Sequence, residues 1–284
     1  MTLHKIYSPI TATPFRCGNT YKEYEPCRAL KSYIRCFWGT EKPVSQGTSN
    51  IQMQSLIIPD TCMDIIFNVD FTNNIINSSF CGINDSSFTV SNENKSNKLI
   101  STFAIRFYPW SAVIFSEDSM RDTKNSFFDA DCHFYKLKKE MEPLLFEITD
   151  IKSRIEVAEK YLLKHICFKH CSPVVYEAVG EILDKKGNAQ IDRLSNLVYI
   201  STRQMERLFK DNIGISPKRL STLIRYQYLW NDIVFSSNFQ VQDAVFKYGY
   251  TDQAHMMREF KRFHTMSVTE AKIYAWQDVA FLQE

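Results

Sequence analysis

The stretch Ser201–Leu220, STRQMERLFKDNIGISPKRL, fixes the character of the last third of this chain. Ser201 with Gln204 three residues later is a capping-box pattern, in which a hydroxyl and an amide each satisfy a backbone N–H left free at a helix start. A helix therefore begins at Thr202. Met205, Leu208 and Phe209 recur at three- and four-residue steps and describe one buried stripe, while Arg203, Glu206, Arg207 and Lys210 share the opposite face. Ser216 is placed to cap a second helix that opens on Pro217, where a missing N–H costs nothing. That helix extends to about Ser236 and carries Leu220, Leu223, Ile224, Tyr228, Ile233 and Val234, as a helix buried between two small bundles must.

The same arrangement occurs twice. In the first copy an amphipathic segment from Ile191, with Leu194, Leu197, Val198 and Ile200 apolar, precedes the Ser201 cap. In the second, Val241, Ala244, Val245 and Tyr248 precede a cap at Asp252, or at Thr251 with a one-residue shift, and Met256, Phe260 and Phe263 form the next stripe. Gln253, Ala254, His255, Met257 and Arg258 lie away from that stripe. Arginine pairs both edge acceptors of guanine, glutamine both edge groups of adenine, and glutamate accepts from cytosine, so the two outer faces suit a major groove. The caps are 51 residues apart, and a helix of roughly 20 residues spans about 30 Å, close to the roughly 34 Å repeat of major-groove faces. One rod is then able to present both readers to one side of a duplex.

The segment Gly187–Trp276 resembles the DNA-binding domain of the AraC/XylS family of transcription regulators. Its family block Leu-x-Arg-x-Phe-Lys followed by Gly-x-Ser-Pro is met by Met205, Arg207, Phe209, Lys210, Gly214, Ser216 and Pro217. In AVFKYGYTDQAHMMREFKRF, Gly249 with Tyr250, Gln253, His255, Arg258 and Phe260 match the second block. The resemblance implies that Arg203, Glu206 and Arg207 of the first reader face bases or backbone, as do Gln253, Ala254, His255, Met257 and Arg258 of the second. Ser195 stands where the family usually has Ala, and Thr265 and Val268 where it usually has Gly and Pro, departures that bear on the shape of the final turn and not on the reader. The implied partner is double-stranded promoter DNA, read by a homodimer with one half-site per protomer, and contact with RNA polymerase belongs to the same plan.

Charge places the DNA-binding potential locally. Residues 1–188 hold 22 basic and 22 acidic side chains, and residues 189–284 hold 12 and 10. Between Arg203 and Arg225, however, Arg203, Arg207, Lys210, Lys218, Arg219 and Arg225 stand against only Glu206 and Asp211. A shallow salt dependence of DNA affinity is the expectation. No run of 18 apolar residues occurs and the first residues lack a signal-peptide pattern, so a cytoplasmic protein without membrane contact is expected. The eight cysteines show no paired knuckle and read as buried thiols. His165, Cys167, His170 and Cys171 are the nearest approach to a metal cluster, but helical spacing does not bring them to one face, so neither metal nor cofactor is expected.

Residues 28–128 read differently, with apolar runs separated by Asn- and Ser-rich loops. Met63–Phe71 alternates and turns at Thr72–Asn74 toward Ile75 and Ile76, as a hairpin does. The loop SNENKSNK, without an apolar anchor, is expected to be mobile. IIPDTCMDIIFN and FAIRFYPWSA resemble patterns in the sensor-like domains found ahead of such readers, PDGCMDIIF and RFxPG. Asp64 and Arg106 are candidates to orient a polar small-molecule effector with Tyr108 and Trp110 as an apolar wall. The plainer reading has the two charges pairing across neighbouring strands and the aromatics filling the core.

The expected fold class is α+β: a β-rich sandwich or barrel-like sensor domain at 1–132, a helical dimerisation and connector region at 133–184, and at 185–284 two helix-turn-helix subdomains joined by a long helix. No enzyme is expected, because a barrel-type metal enzyme needs clustered histidines and none lies between Phe15 and Phe128. The alternatives are an amino-terminal domain that only dimerises or binds another protein, with Ile151–Ile166 and Pro173–Leu183 as interface, or a degenerate enzyme-like barrel.

Overall fold

The computed structural model describes residues 2–13, 21–45, 54–91 and 98–276. Nine strands come first: β1 (Ala12–Thr13), β2 (Lys22–Tyr24), β3 (Ile34–Gly39), β4 (Val44–Ser45), β5 (Gln54–Ile57), β6 (Met63–Asp70), β7 (Ile75–Cys81), β8 (Phe88–Ser91) and β9 (Leu99–Phe107). A short helix α1 (Ala112–Phe115) and strand β10 (Phe127–Asp129) precede α2 (Asp131–Glu147), α3 (Ile151–Lys164) and α4 (Pro173–Asp184). The remainder is helical: α5 (Ile191–Leu197), α6 (Thr202–Ile213), α7 (Pro217–Phe235), α8 (Val241–Lys247), α9 (Gln253–His264) and α10 (Val268–Trp276). A β-rich region followed by helices is the expected α+β class.

The larger sheet runs β10-β7-β6-β9-β3-β2, with β4 pairing the start of β9, and β1-β5-β8 form a smaller one. Every pairing is antiparallel. Among the described residues neither sheet closes on itself. The Met63–Ile76 hairpin forms as its alternation requires, with Asp70 opposite Ile75 and Ile65, Phe67 and Val69 fully buried on one face. Phe37, Phe67 and Phe103 stack across β3, β9 and β6. The expectation for the SNENKSNK loop falls on residues 92–97, outside the described ones.

The helical stretch after the sheets divides between two neighbours. The buried Arg154 of α3 donates to Ser101 Oγ on β9 at 2.9 Å and to the carbonyls of Leu145 and Ile148, which ties α2 and α3 to the large sheet. The apolar face of α4, with Val175, Ala178, Val179, Ile182 and Leu183 buried, packs instead on α5, α6 and α7. The stripes expected to supply a dimer interface are thus covered within the chain, although Leu163 stays exposed. The chain after Asp184 is held against α7: Gly187 (φ +79°) accepts from Ser221 Oγ, and its Cα approaches α7 so closely that a Cβ would lie 2.3 Å from the Ser221 carbonyl.

Candidate nucleic-acid interface

At the first reader, Ser201 and Gln204 form both halves of the capping box: Gln204 N–H donates to Ser201 Oγ at 3.2 Å and Ser201 N–H to Gln204 Oε1 at 3.3 Å. Met205, Phe209 and Ile213 are fully buried, which fixes the rotation of α6. Arg203, Arg207 and Lys210 are consequently exposed and Glu206 half-buried. None of these three cations has an ion-pair partner among the described residues.

The second reader repeats this with a different cap. Asp252 accepts from His255 N–H at 2.6 Å, so the cap is Asp252 rather than Thr251. Gln253, Ala254 and Arg258 are exposed, while His255 and Met257 are half-buried, His255 standing edge-on to Tyr250 at 5.4 Å. α8 starts fifty residues after α5, and α9 fifty-one after α6, so the second turn is one residue longer. Tyr199 (φ 55°) and Gly249 (φ 65°) turn the chain at equivalent points.

The final turn keeps its geometry although its residues depart from the family pattern. Thr265 takes the left-handed conformation (φ 63°) that Gly214 takes in the first copy (φ 83°), and each donates its N–H to a carbonyl four residues back. Ser267 and Glu270 then form a capping box at the start of α10, as Ser216 and Pro217 open α7. The turn keeps its shape without Gly and Pro, at a conformational cost of about 1 kcal/mol for Thr265.

Two of the six cations between residues 203 and 225 are taken by partners. Arg225 is bidentate to Glu259, with contacts of 2.6 and 2.8 Å, and joins α7 to α9 beneath Tyr250. Arg219 donates from Nε to Asp85 Oδ2 at 2.9 Å and from Nη2 to the Asp85 carbonyl at 3.0 Å, reaching out of the reader into the amino-terminal domain. Asp211 is likewise matched by Arg121 at 2.6 Å. Four cations remain uncommitted: Arg203, Arg207, Lys210 and the exposed Lys218, with Glu206 as their acidic neighbour. Sequence spacing gave no sign of the Asp85 partner, which lies 134 positions away.

In the amino-terminal domain Asp64 and Arg106 face each other across β6 and β9 and answer each other's charge, with contacts of 2.9 and 3.2 Å. Trp38 Nε1 completes the Asp64 carboxylate, and Thr11 Oγ accepts from the buried guanidinium. Tyr108 and Trp110 stack at 4.6 Å, and Trp110 Nε1 donates to the Ser32 carbonyl. Tyr108 also borders a cavity whose other walls include His4, Glu25, Lys31, Ile34 and Arg35. The His165–Cys171 group does not lie on one helix, since α3 ends at Lys164, and no grouping of three or more metal-ligand side chains occurs among the described residues. Also among them, no helix is long and apolar enough to cross a membrane.

Residues 194–272 match the family model described as a helix-turn-helix domain, the span that contains both capped readers and α7. The carboxy-terminal unit is an AraC-type helix-turn-helix domain. A chain carrying an AraC-type domain is a DNA-binding transcriptional regulator. Ahead of the AraC-type domain, residues 22–129 match a family described as a domain of unknown function (DUF6597). No curated protein matches the chain. Among solved structures, the carboxy-terminal domain of AraT, a response regulator from Geobacillus stearothermophilus, is 21% identical over 36% of this chain and 84% of its own, with TM-score 0.34. An AraC-type DNA-binding protein from Chromobacterium violaceum is 23% identical over 37% of this chain and 94% of its own, with TM-score 0.34. ToxT from Vibrio cholerae is 10% identical over 90% of this chain and 98% of its own, with TM-score 0.37.

Proposed function

We propose that each protomer reads two successive major-groove segments of promoter DNA and that the amino-terminal domain governs how the two readers are held. The observation that carries this is the pair of capped helices with equivalent exposed faces. In α6 these are Arg203, Glu206, Arg207 and Lys210, with Lys218 near the following turn. In α9 they are Gln253, Ala254, His255, Met257 and Arg258. The 19 residues of α7 give a rod of about 28 Å between them, comparable with the roughly 34 Å repeat of one groove face.

Control through α7 is favoured by the way the amino-terminal domain grips it. The buried Gln227 accepts from Ile10 N–H at 2.8 Å and donates to the carbonyls of Ile10 and Pro59 at 2.9 and 2.5 Å, so a sensor backbone satisfies its whole amide. Arg219 bonds Asp85 two turns earlier. At the end of α6, Asp211 pairs with Arg121 through its carboxylate and accepts Met120 N–H on its carbonyl. These contacts leave the reader faces open while fixing the rod that sets their separation.

Selection of bound sequences from random duplex DNA tests the proposal. Two boxes about one helical turn apart per protomer are expected. Recovery of no sequence preference by a folded chain would overturn it.

A further inference from the structure

One cavity wall in the amino-terminal domain carries positive charge that its surroundings leave incompletely satisfied. The cavity, of about 190 Å³, is lined by His4, Glu25, Lys31, Ile34, Arg35 and Tyr108 among others. The nearest acid to the Arg35 guanidinium is Glu23, at 3.7 Å, too far for a hydrogen bond. Its Nε is buried and without an acceptor among the described residues. A guanidinium has five donors, and one this enclosed ordinarily has an anion or several acceptors against it. Lys31 is bonded to Glu25 at 2.6 Å, but that carboxylate is 81% exposed. Burial lowers the pKa of His4, and Lys5 and Lys31 lower it further, which registers the positive field. Ile34 and the Tyr108 ring supply an apolar side, and burial pushes the Tyr108 phenol up to about 12, so it remains a donor.

We propose that this cavity binds a small organic anion, its carboxylate or phosphate head held by Arg35 and Lys31 and a short apolar body set against Tyr108 and Ile34. The site deepens the regulatory reading, on which its consequence rests, because the cavity shares Ser8 with a second one, of about 210 Å³, bordered by Gln227, Tyr228 and Asn231 of α7. The strap at residues 3–10 stands between ligand and rod. Tyr7 packs on Tyr228 with ring centroids 5.7 Å apart, and Tyr228 donates its hydroxyl to the Ile6 carbonyl at 2.6 Å.

Calorimetric titration of the full chain with benzoate, phenyl phosphate and the neutral benzyl alcohol tests the site. Saturable binding of an anion and none of the alcohol is expected, the tighter anion identifying the head group. Arg35→Gln and Lys31→Gln are each expected to weaken binding about tenfold, the loss of one charged hydrogen bond. Lys31 is 40% exposed, so its variant serves even if Arg35→Gln fails to fold. No saturation by either anion up to about 10 mM, equal binding of the alcohol, or unchanged affinity in the folded variants would overturn the proposal. A chain that binds the anion but no duplex keeps the cavity and loses the regulator. One that selects a duplex but binds neither anion loses the cavity alone.

Discussion

Arg207 and Arg219 are twelve residues apart and alike in type, yet one is exposed without a carboxylate and the other is gripped by Asp85. If Arg207 pairs a guanine, Arg207→Ala is expected to lose about 1–3 kcal/mol of binding and to relax preference at one base pair. An equal loss on every sequence in a binding array would instead assign it to phosphate. Glu206→Gln is expected to raise affinity for many sequences, because it removes the one acidic neighbour of that face. His264 is a different kind of residue: buried against Trp230 and Phe260, with a nitrogen shared with Tyr226 OH at 2.8 Å, it has its pKa lowered from 6.5 to about 3 by burial. The unfolded chain takes up this proton below 6.5 and the folded chain refuses it until about 3. Its contribution is therefore whole above pH 6.5 and shrinks as pH falls, by about 1.4 kcal/mol per unit. Denaturant titrations at pH 7 and pH 5 are expected to show a smaller pH dependence in His264→Gln than in the wild type.

At the level of elements, each reader helix is defined at both ends by local bonds. Ser201→Ala removes the α6 cap and is expected to destabilise the reader by about 1 kcal/mol in chemical denaturation. The other end matters for docking as well as for the helix. At Gly214 (φ +83°) a Cβ would lie 2.4 Å from Thr123 Oγ1 and 2.8 Å from the Met120 carbonyl, both in the amino-terminal domain. Gly214→Ala is expected to destabilise by about 1–2 kcal/mol from the backbone alone, and to raise hydrogen exchange at Met120, whose N–H bonds Asp211 of α6. Unchanged exchange there would mean that the two domains do not depend on this contact.

Across the whole molecule, α7 is both the core of the reader and the handle by which the amino-terminal domain holds it. Gln227→Leu strips the partner from Ile10 and Pro59, with an expected loss of about 1–3 kcal/mol in global stability. Asp85→Asn loosens Arg219 without altering any reader face. The log-log salt slope of DNA affinity is expected to stay shallower than about −8 for one wild-type protomer and to steepen by about one in Asp85→Asn. An unchanged slope would show that Arg219 has no access to phosphate even when freed.

Sequence alone determined the two readers, the Ser201 and Ser216 caps and the rod between them, because a capping box spans four residues and a buried stripe repeats every three or four, whereas the structure chose Asp252 over Thr251. Sequence also determined the Met63–Ile76 hairpin for the same reason, its turn and alternation being local. Tertiary structure decided which cations are free, since Asp85, Glu259 and Arg121 reach their partners from 34 to 134 positions away. It also decided that α4 joins the reader rather than standing clear, and that Thr265 adopts the turn its type disfavours, since packing outweighs a conformational preference of about 1 kcal/mol. Asp64 and Arg106 lay open to two readings until the strand register set them face to face.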